Sequence, residues 1–345
     1  MLPFGAACEP TGADSRNRED WLAARRLTLG ASEVPVLFGL SPWREDGPQS
    51  VLELWALKRG LLEPQDAGAI AQWGNRLEAP ILDAYRDAVG HEVEHSTITL
   101  RSRAHPRLSA TPDGIEHPAK GAPGLVQVKT TAFATEWHQR IPPYIQAQLQ
   151  AELLVTGAPH VTLVWLPLVS RRLEWLTVRP VPAFHEAILE RAAHFWWHVD
   201  EVRMPSPDDT ASAQRTLARV LPSASEAATV LLEGSAIAAA DELARIGASL
   251  KALETRKRFL TNRVVAAAGA HTRALLPDGR YFTVPQVAGG EQRCPHCEGV
   301  LFRKGPSRPC TLRPPPKRPQ PEPEARAVVS LDDAVLAQDL ERIAV

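Results

Sequence analysis

Apolar residues recur three and four positions apart through residues 18–26 (REDWLAARR), a spacing that predicts a helix. Residues 29–39 (LGASEVPVLFG) read as a second helix entry, with Ser32 as N-cap and Glu33 in the first turn, where the helix dipole favours a carboxylate. Residues 50–59 (SVLELWALKR) repeat the pattern with Ser50 as cap and Gly60 as stop. Residues 69–90 predict a third helical segment, bent by Pro80 and carrying Glu78. From 91 to 130 the spacing changes to short alternating runs, STITLRS, RLSATPDG and GLVQVKTT, separated by Pro and Gly, which is the pattern of an antiparallel meander. The prolines before YIQAQLQAELLVTG then open a helix that runs through Ile145, Leu149 and Leu153 and closes at Gly157. HVTLVWLPL and RLEWLTV (160–168 and 172–178) read as two further strands. Helices, strands, a helix and more strands define a mixed α/β sheet flanked by helices.

The pattern changes again after the helical segment 181–201, in which Trp196 and Trp197 are expected to pack in the core or against a helical arm. Residues 225–268 are helical and Ala-rich and read as an elongated hairpin or arm. LLPDGRYFTVPQV (275–287) predicts a small β-hairpin around Pro-Asp-Gly. Beyond about residue 303 the Pro, Arg and Lys content predicts an extended, weakly ordered tail. The expected organisation is a sheet-containing domain over 1–205, a helical arm with its hairpin over 206–288, and a Cys-containing basic tail over 289–345.

Composition bounds the function classes. A chain of 345 residues with 44% hydrophobic content has material for one large or two ordinary cores. The formal net charge of −1 neither suggests nor excludes a nucleic-acid partner, because binding follows local charge, and residues 303–318 carry six Arg or Lys and no acid. No stretch approaches the ~18 consecutive apolar residues of a membrane span. The start MLPFGAACEP has neither a basic beginning nor an apolar run, and four cysteines make no disulfide framework, so a reducing cytoplasm is the expected compartment.

The candidate chemistry lies in GLVQVKTT. Successive strand side chains point to opposite faces, so Gln127 and Lys129 share one face while Val126 and Val128 point into apolar packing. Asp113, in SATPDGI, ends the preceding run, and a tight antiparallel connection would bring it near residue 127. A carboxylate and an amide oxygen suit Mg²⁺ or Mn²⁺, hard cations held by one or two carboxylates plus waters and substrate phosphate. A lysine cannot be a ligand, but its ammonium can lie against an attacking water or the charge developing on phosphate. Glu78 could add a further carboxylate at the edge of such a site.

With these residues in place, Pro-Asp-Gly followed by a strand bearing Gln-x-Lys resembles the PD-(D/E)xK nuclease signature, which implies a restriction-endonuclease-like core. The surroundings are similar to the YqaJ-type, lambda-exonuclease-like viral recombinases. WLAARRLTLGASEVPVLFGLSPW looks like that family's N-terminal Arg…Gly-x-Ser-(Asp/Glu) box, WGNRLEAPIL like its Gly…Glu helix, and YIQAQLQAELLVTG like its glutamine-rich helix. Four ordered motifs span about 21–157. The resemblance implies that Glu78, Asp113 and Gln127 surround the metal, that Lys129 assists catalysis, and that Gln148, rather than Gln150, faces substrate or a metal-bound water. It also implies that Arg25 and Ser32 bind the 5′ phosphate of a DNA end, a role a serine at a helix N-terminus beside an arginine also suits on physical grounds. The implied activity is hydrolysis of one strand of duplex DNA from the 5′ end during phage or prophage recombination in a bacterial host. Implied partners are duplex DNA ends, a single-strand annealing protein and further copies of the chain in a ring trimer.

One position departs from the family pattern. Glutamate is usual where Gln127 stands, and the amide keeps an oxygen donor while removing a negative charge. Two alternatives therefore stay open: a noncatalytic DNA-end-binding relative, and an endonuclease of the same fold. Each candidate also has an ordinary structural role open to it, Asp113 as a turn residue, Glu78 as a helix surface charge and Ser32 as a plain cap. In CPHCEGVLFRKGPSRPC, Cys294 and Cys297 with His296 and Cys310 could hold Zn²⁺, but a close partner for Cys310 is missing.

Overall fold

The computed structural model describes residues 4–41, 48–64, 68–132, 137, 139–221, 229–287, 290–293, 300–304 and 310–313, in two compact units, 1–225 and 226–345. Cys294, His296 and Cys297 lie outside the described residues.

In the first unit β1 (Cys8–Asp14) leads into α1 (Arg18–Leu27), whose N-cap Asn17 accepts from the Asp20 N–H. Then come β2 (Leu29–Gly30) and a 3-10 helix, Ala31–Phe38. Ser32 is not its cap. Gly30 holds that position, and the Glu33 side chain reaches back to the Gly30 N–H at 2.8 Å, because a buried carboxylate serves the orphan donor from within the first turn. The helix α2 (Val51–Lys58) carries the expected Ser50 cap on the Glu53 N–H. Next, α3 (Ala69–Val89) runs without interruption through Pro80 and ends at Gly90 in the left-handed region.

The segment 91–131 is not a single meander. Its strands β3 (Glu92–His95), β4 (Ile98–Ser102), β5 (Leu108–Ala110), β6 (Gly114–His117) and β7 (Gly124–Thr131) divide between two sheets. One has the order β1-β4-β5-β2. The other has the order β3-β6-β7-β8-β9, completed by β8 (Val161–Pro167) and β9 (Glu174–Val178). Within it β7 runs parallel to β8 and antiparallel to β6, and α4 (Pro143–Thr156) makes the crossover that a parallel pair requires. The sheet lies between two helices. Val126 and Val128 pack with Ile81, Leu82 and Tyr85 of α3, while Leu125 packs with Ile145, Leu149 and Leu153 of α4. By strand alternation Gln127 and Lys129 share the α4 face with Leu125. A third core joins the 3-10 helix, α2 and α4 to α5 (Pro182–Asp200) and α6 (Ala211–Val220).

In the second unit α7 (Ser235–Ala268) is one continuous helix of 34 residues rather than a hairpin. The predicted turn around Pro277-Asp278-Gly279 joins β10 (Arg273–Leu275) to β11 (Tyr281–Thr283). Short strands form in the described part of the tail. β12 (Gly290–Arg293) pairs with β13 (Val300–Lys304), and β14 (Thr311–Arg313) adds a third strand to the hairpin. Main-chain pairing satisfies these residues despite their polar composition.

Candidate active site

Asp113 immediately precedes β6, and the register Gly114↔Val126 sets it beside Gln127. The strand that brings them together is four residues long and lies after Asp113, not before it, yet the two side chains meet as expected. Asp113 Oδ2 accepts from Gln127 Nε2 at 2.5 Å and from the Val128 N–H at 2.7 Å. Gln127 is only 4% exposed, and its Oε1 is buried with no hydrogen-bond partner. The charges of Glu78 and Lys129 both act on Asp113, so all four residues expected at one site are gathered there. Glu78 Oε1 is 2.9 Å from His95 Nε2.

A fifth group was not legible in the sequence. Glu152, on α4, is 1% exposed, accepts from Gln148 Nε2 at 2.8 Å, feels the charge of Lys129, and leaves Oε2 buried without a partner. Its signal was present only as the i,i+4 spacing to Gln148. Gln150 turns away from the site: its Nε2 donates to the Arg179 carbonyl and its Oε1 accepts from the Val181 N–H, both at 2.9 Å, so it staples the β9–α5 connection to α4.

Crowding of acids sets the electrostatics. Burial pushes the Asp113 carboxyl well above the usual carboxylate range, Glu78 and Glu152 push the same way, and Lys129 with the Val128 N–H oppose them. Burial likewise raises Glu152 to about 7, against Lys129 and the Gln148 hydrogen bond. A carboxyl whose protonated form the fold favours makes the fold less stable as pH rises from its ordinary value toward its raised one. For Glu152 the interval from 4.5 to about 7 corresponds to roughly 3 kcal/mol. Urea unfolding in chelator is therefore expected to give lower stability at about pH 8 than at about pH 5, and Glu152→Gln should reduce that slope, leaving the part due to Asp113. An unchanged slope in Glu152→Gln would mean the carboxyl is ionised at both pH values.

Arg25 and Ser32 also meet. Arg25 Nη2 donates to Ser32 Oγ at 3.3 Å and pairs with Glu33 Oε1 at 3.0 Å, and the guanidinium lies over the Trp21 ring, 4.5 Å from its centroid. Beneath them Lys58, on α2, spends its ammonium on Glu33 (2.7 Å), the Arg25 carbonyl (2.6 Å) and the Thr28 carbonyl (2.8 Å). Two cations around one carboxylate leave a net positive charge, an environment suited to an anion.

Other polar groups serve the scaffold. Glu116 accepts from Tyr85 at 2.8 Å and Thr162 at 2.6 Å and lies 2.9 Å from His160 and 3.3 Å from His91, which ties α3 to the sheet. Gly124 leaves room for this: a Cβ there would meet His160 Nε2 at 2.1 Å. Trp196 is buried as expected, whereas Trp197 is 44% exposed on α5. Cys310 is a free, half-buried thiol. Among the described residues no helix is long and apolar enough to cross a membrane, and no group of three or more His, Cys, Asp or Glu is arranged to hold a metal ion. Around Asp113 stand the carboxylates of Glu78 and Glu152 and the Gln127 amide.

A mixed sheet flanked by helices, with Asp113, Gln127 and Lys129 converging across its β6–β7 pair, is the arrangement expected of a restriction-endonuclease-like PD-(D/E)xK core. Residues 20–159 match the model of the YqaJ-like viral recombinase domain. Every residue described above as lying at the two clusters falls inside it. The chain is 23% identical over 209 residues to the uncharacterized protein YqaJ of Bacillus subtilis (strain 168), a match covering 58% of this chain and 62% of that protein's length. Among solved structures it is similar to an alkaline exonuclease (LHK-Exo) from Laribacter hongkongensis, at 18% identity and a TM-score of 0.44 over 54% of this chain and 94% of that one. It is also similar to a phage related exonuclease from Haemophilus somnus 129PT, at 13% identity and a TM-score of 0.41 over 53% and 97%.

Proposed function

We propose that the chain is a metal-dependent deoxyribonuclease that hydrolyses phosphodiester bonds of duplex DNA from a 5′ end, in homologous recombination of the phage type. The observation that carries this reading is the Gln127 amide: its Nε2 is committed to Asp113, and its Oε1 is buried beside that carboxylate's strand without a hydrogen-bond partner. A neutral oxygen beside two carboxylates is a donor set that a hard divalent cation completes with waters and substrate phosphate. Glu78, Asp113 and Gln127 would hold Mg²⁺ or Mn²⁺, and the ion would supply a Lewis acid next to the scissile phosphate.

The chain's own residues do the rest. Lys129 sets an ammonium among the carboxylates, where it stabilises charge developing on the phosphate. Glu152, held near 7 and oriented by Gln148, is placed to take up a proton within the same cleft. Arg25 and Ser32 bind the terminal 5′ phosphate through charge-assisted hydrogen bonds, with Glu33 and Lys58 holding Arg25 in position. The single-stranded product would pass to an annealing protein in the cytoplasm of a bacterial host.

The test is digestion of linear and covalently closed circular duplex with and without Mg²⁺ or Mn²⁺. Expected is metal-dependent loss of linear DNA alone, faster with a 5′ phosphate than a 5′ hydroxyl, and a selective loss of that preference in Arg25→Ala. Cutting of closed circles would make the protein an endonuclease. The neutral amide and the strongly raised Asp113 favour one second reading, a DNA-end-binding protein that has lost turnover. Gln127→Glu separates the two: it lowers the metal concentration needed by a working enzyme, and it creates turnover where the native chain has none.

A further inference from the structure

The strand β3 brings a further side chain to the edge of the acidic cluster. Val93 packs with Ile81, Leu82 and Tyr85 of α3, and by strand alternation His95, two residues on, turns toward the same helix. There its Nε2 lies 2.9 Å from Glu78 Oε1. The main chain pins this histidine next to Asp113: His95 is the register partner of Gly114, and the Ser96 N–H donates to the Asp113 carbonyl at 2.9 Å. The packing here is close, since a Cβ on Gly114 would meet the Glu94 carbonyl at 3.0 Å and the Leu82 side chain at 3.2 Å. Strands β3 and β6 and helix α3 are thus locked together at the point where the Glu78 charge acts on Asp113.

We infer that His95 is a positioning residue of the proposed metal site, its Nε2–H holding Glu78 by one oxygen so that the carboxylate is already oriented when a divalent cation binds. The inference rests on the reading of Glu78, Asp113 and Gln127 as the residues that hold the cation. Two of those three are fixed without help, because Asp113 Oδ2 accepts from both the Gln127 side chain and the Val128 N–H. Glu78 is different. It is a long, flexible side chain on a helix surface, 25% exposed, and ordering such a group at the moment of binding costs free energy unless a neighbour has ordered it beforehand. His95 is that neighbour. A donor behind a ligating group fixes its orientation in this way, and a neutral imidazole with its proton on Nε2 is sufficient.

A stabilising role for the same contact predicts something else. The His95 side chain is 42% exposed, and a pair this open adds little to the fold. Removing the imidazole should therefore register in cation affinity and leave the melt of the metal-free chain unchanged.

The test is Mn²⁺ binding by the full chain without DNA, read from the electron paramagnetic resonance signal of the free ion, alongside thermal melts in chelator. Expected is a dissociation constant raised about 10-fold or more by His95→Ala, the scale on which groups behind metal ligands act, with the melt unchanged. His95→Gln, whose side-chain N–H can stand in for the imidazole N–H, should recover most of that loss. In a Glu78→Gln chain the further change His95→Ala should cost nothing, since His95 acts only through the carboxylate. In digestion of linear duplex, His95→Ala should change the Mg²⁺ requirement more than the rate at saturating Mg²⁺. Native affinity in His95→Ala overturns the inference, as does a His95→Gln chain no better than His95→Ala, or an equal further loss in the Glu78→Gln background. The two levels of failure are distinct: a native chain that binds no Mn²⁺ removes the metal reading and this inference with it, whereas a native chain that binds Mn²⁺ no better than His95→Ala removes this inference alone.

Discussion

Asp113→Asn is expected to lower the rate of linear duplex digestion by at least about 10²–10³-fold, the scale on which single groups at a charged transition state act, while leaving the protein as stable or more stable than before. The two signs differ for one reason. Asp113 is a buried carboxylate forced beside Glu78 and Glu152, against which Lys129 and the N–H groups of the Val128 backbone and the Gln127 side chain favour its charged form. Removing that charge relieves repulsion and desolvation in the free protein, and the remaining amide oxygen can still accept the Val128 N–H. It also removes the anionic oxygen through which the proposed site would hold its cation. Stability gained as activity is lost marks a site strained for function. Lys129→Ala should lose comparable activity with the opposite effect on stability, because it strips Asp113 and Glu152 of their shared countercharge. That loss should grow as pH rises and more of the buried carboxyl population must ionise. Initial rates and thermal melts of both variants with saturating Mg²⁺ check this. Retained digestion in either variant would remove the proposed chemistry, and Asp113→Asn melting many degrees lower would make that aspartate a structural turn residue.

The strand β7 could be read from the sequence because alternation alone fixes which residues share a face. Val126 and Val128 do pack on α3, and Gln127 and Lys129 do face the other way. The helices α2 and α3 were legible for local reasons, the Ser50 cap and the left-handed Gly90 stop. Elements whose stability comes from partners were not. The strand β6 is four residues held by neighbours on both sides, and β1 is polar and irregular between Pro10 and Asp14, so neither has an alternating pattern to find. Ser32 looked like a cap because cap preference is local, whereas Gly30 won the position through the long reach of Glu33 into a buried charge cluster. Glu152 and Lys58 matter through burial and partners far away in the chain, which no short window contains. The sequence left a hairpin and an arm both open for α7, and the arm forms: Gly247 costs only about 1 kcal/mol in a helix and the helix runs through it.

The phosphate cluster should prove as important to the fold as to the substrate end. Glu33→Gln is expected to destabilise the protein by about 3–5 kcal/mol, the cost of leaving a buried ion without its partner. The side chain of Lys58 is only 3% exposed, and its Nζ lies 2.7 Å from Glu33 Oε2. Burial already lowers the Lys58 ammonium to about 8, with Glu33 holding it up and Arg25 pulling it down further. A base lowered in the fold weakens it as pH falls below the ordinary value, so in Glu33→Gln, where Lys58 drops further, the loss should be largest at low pH and ease as pH rises. Lys58→Met in the same chain should recover part of the loss, because removing both partners leaves no uncompensated charge. Urea unfolding of the two singles and the double gives the coupling directly. A loss below about 1 kcal/mol would place the pair with ordinary surface ion pairs. The same variant reports on function, since Arg25 keeps its direction through the 3.0 Å contact to Glu33. Competition between 5′-phosphorylated and 5′-hydroxyl duplex should show the preference weakened in Glu33→Gln even though Arg25 and Ser32 are intact, while turnover of bound 5′-hydroxyl ends stays near native because Asp113 and Lys129 are untouched.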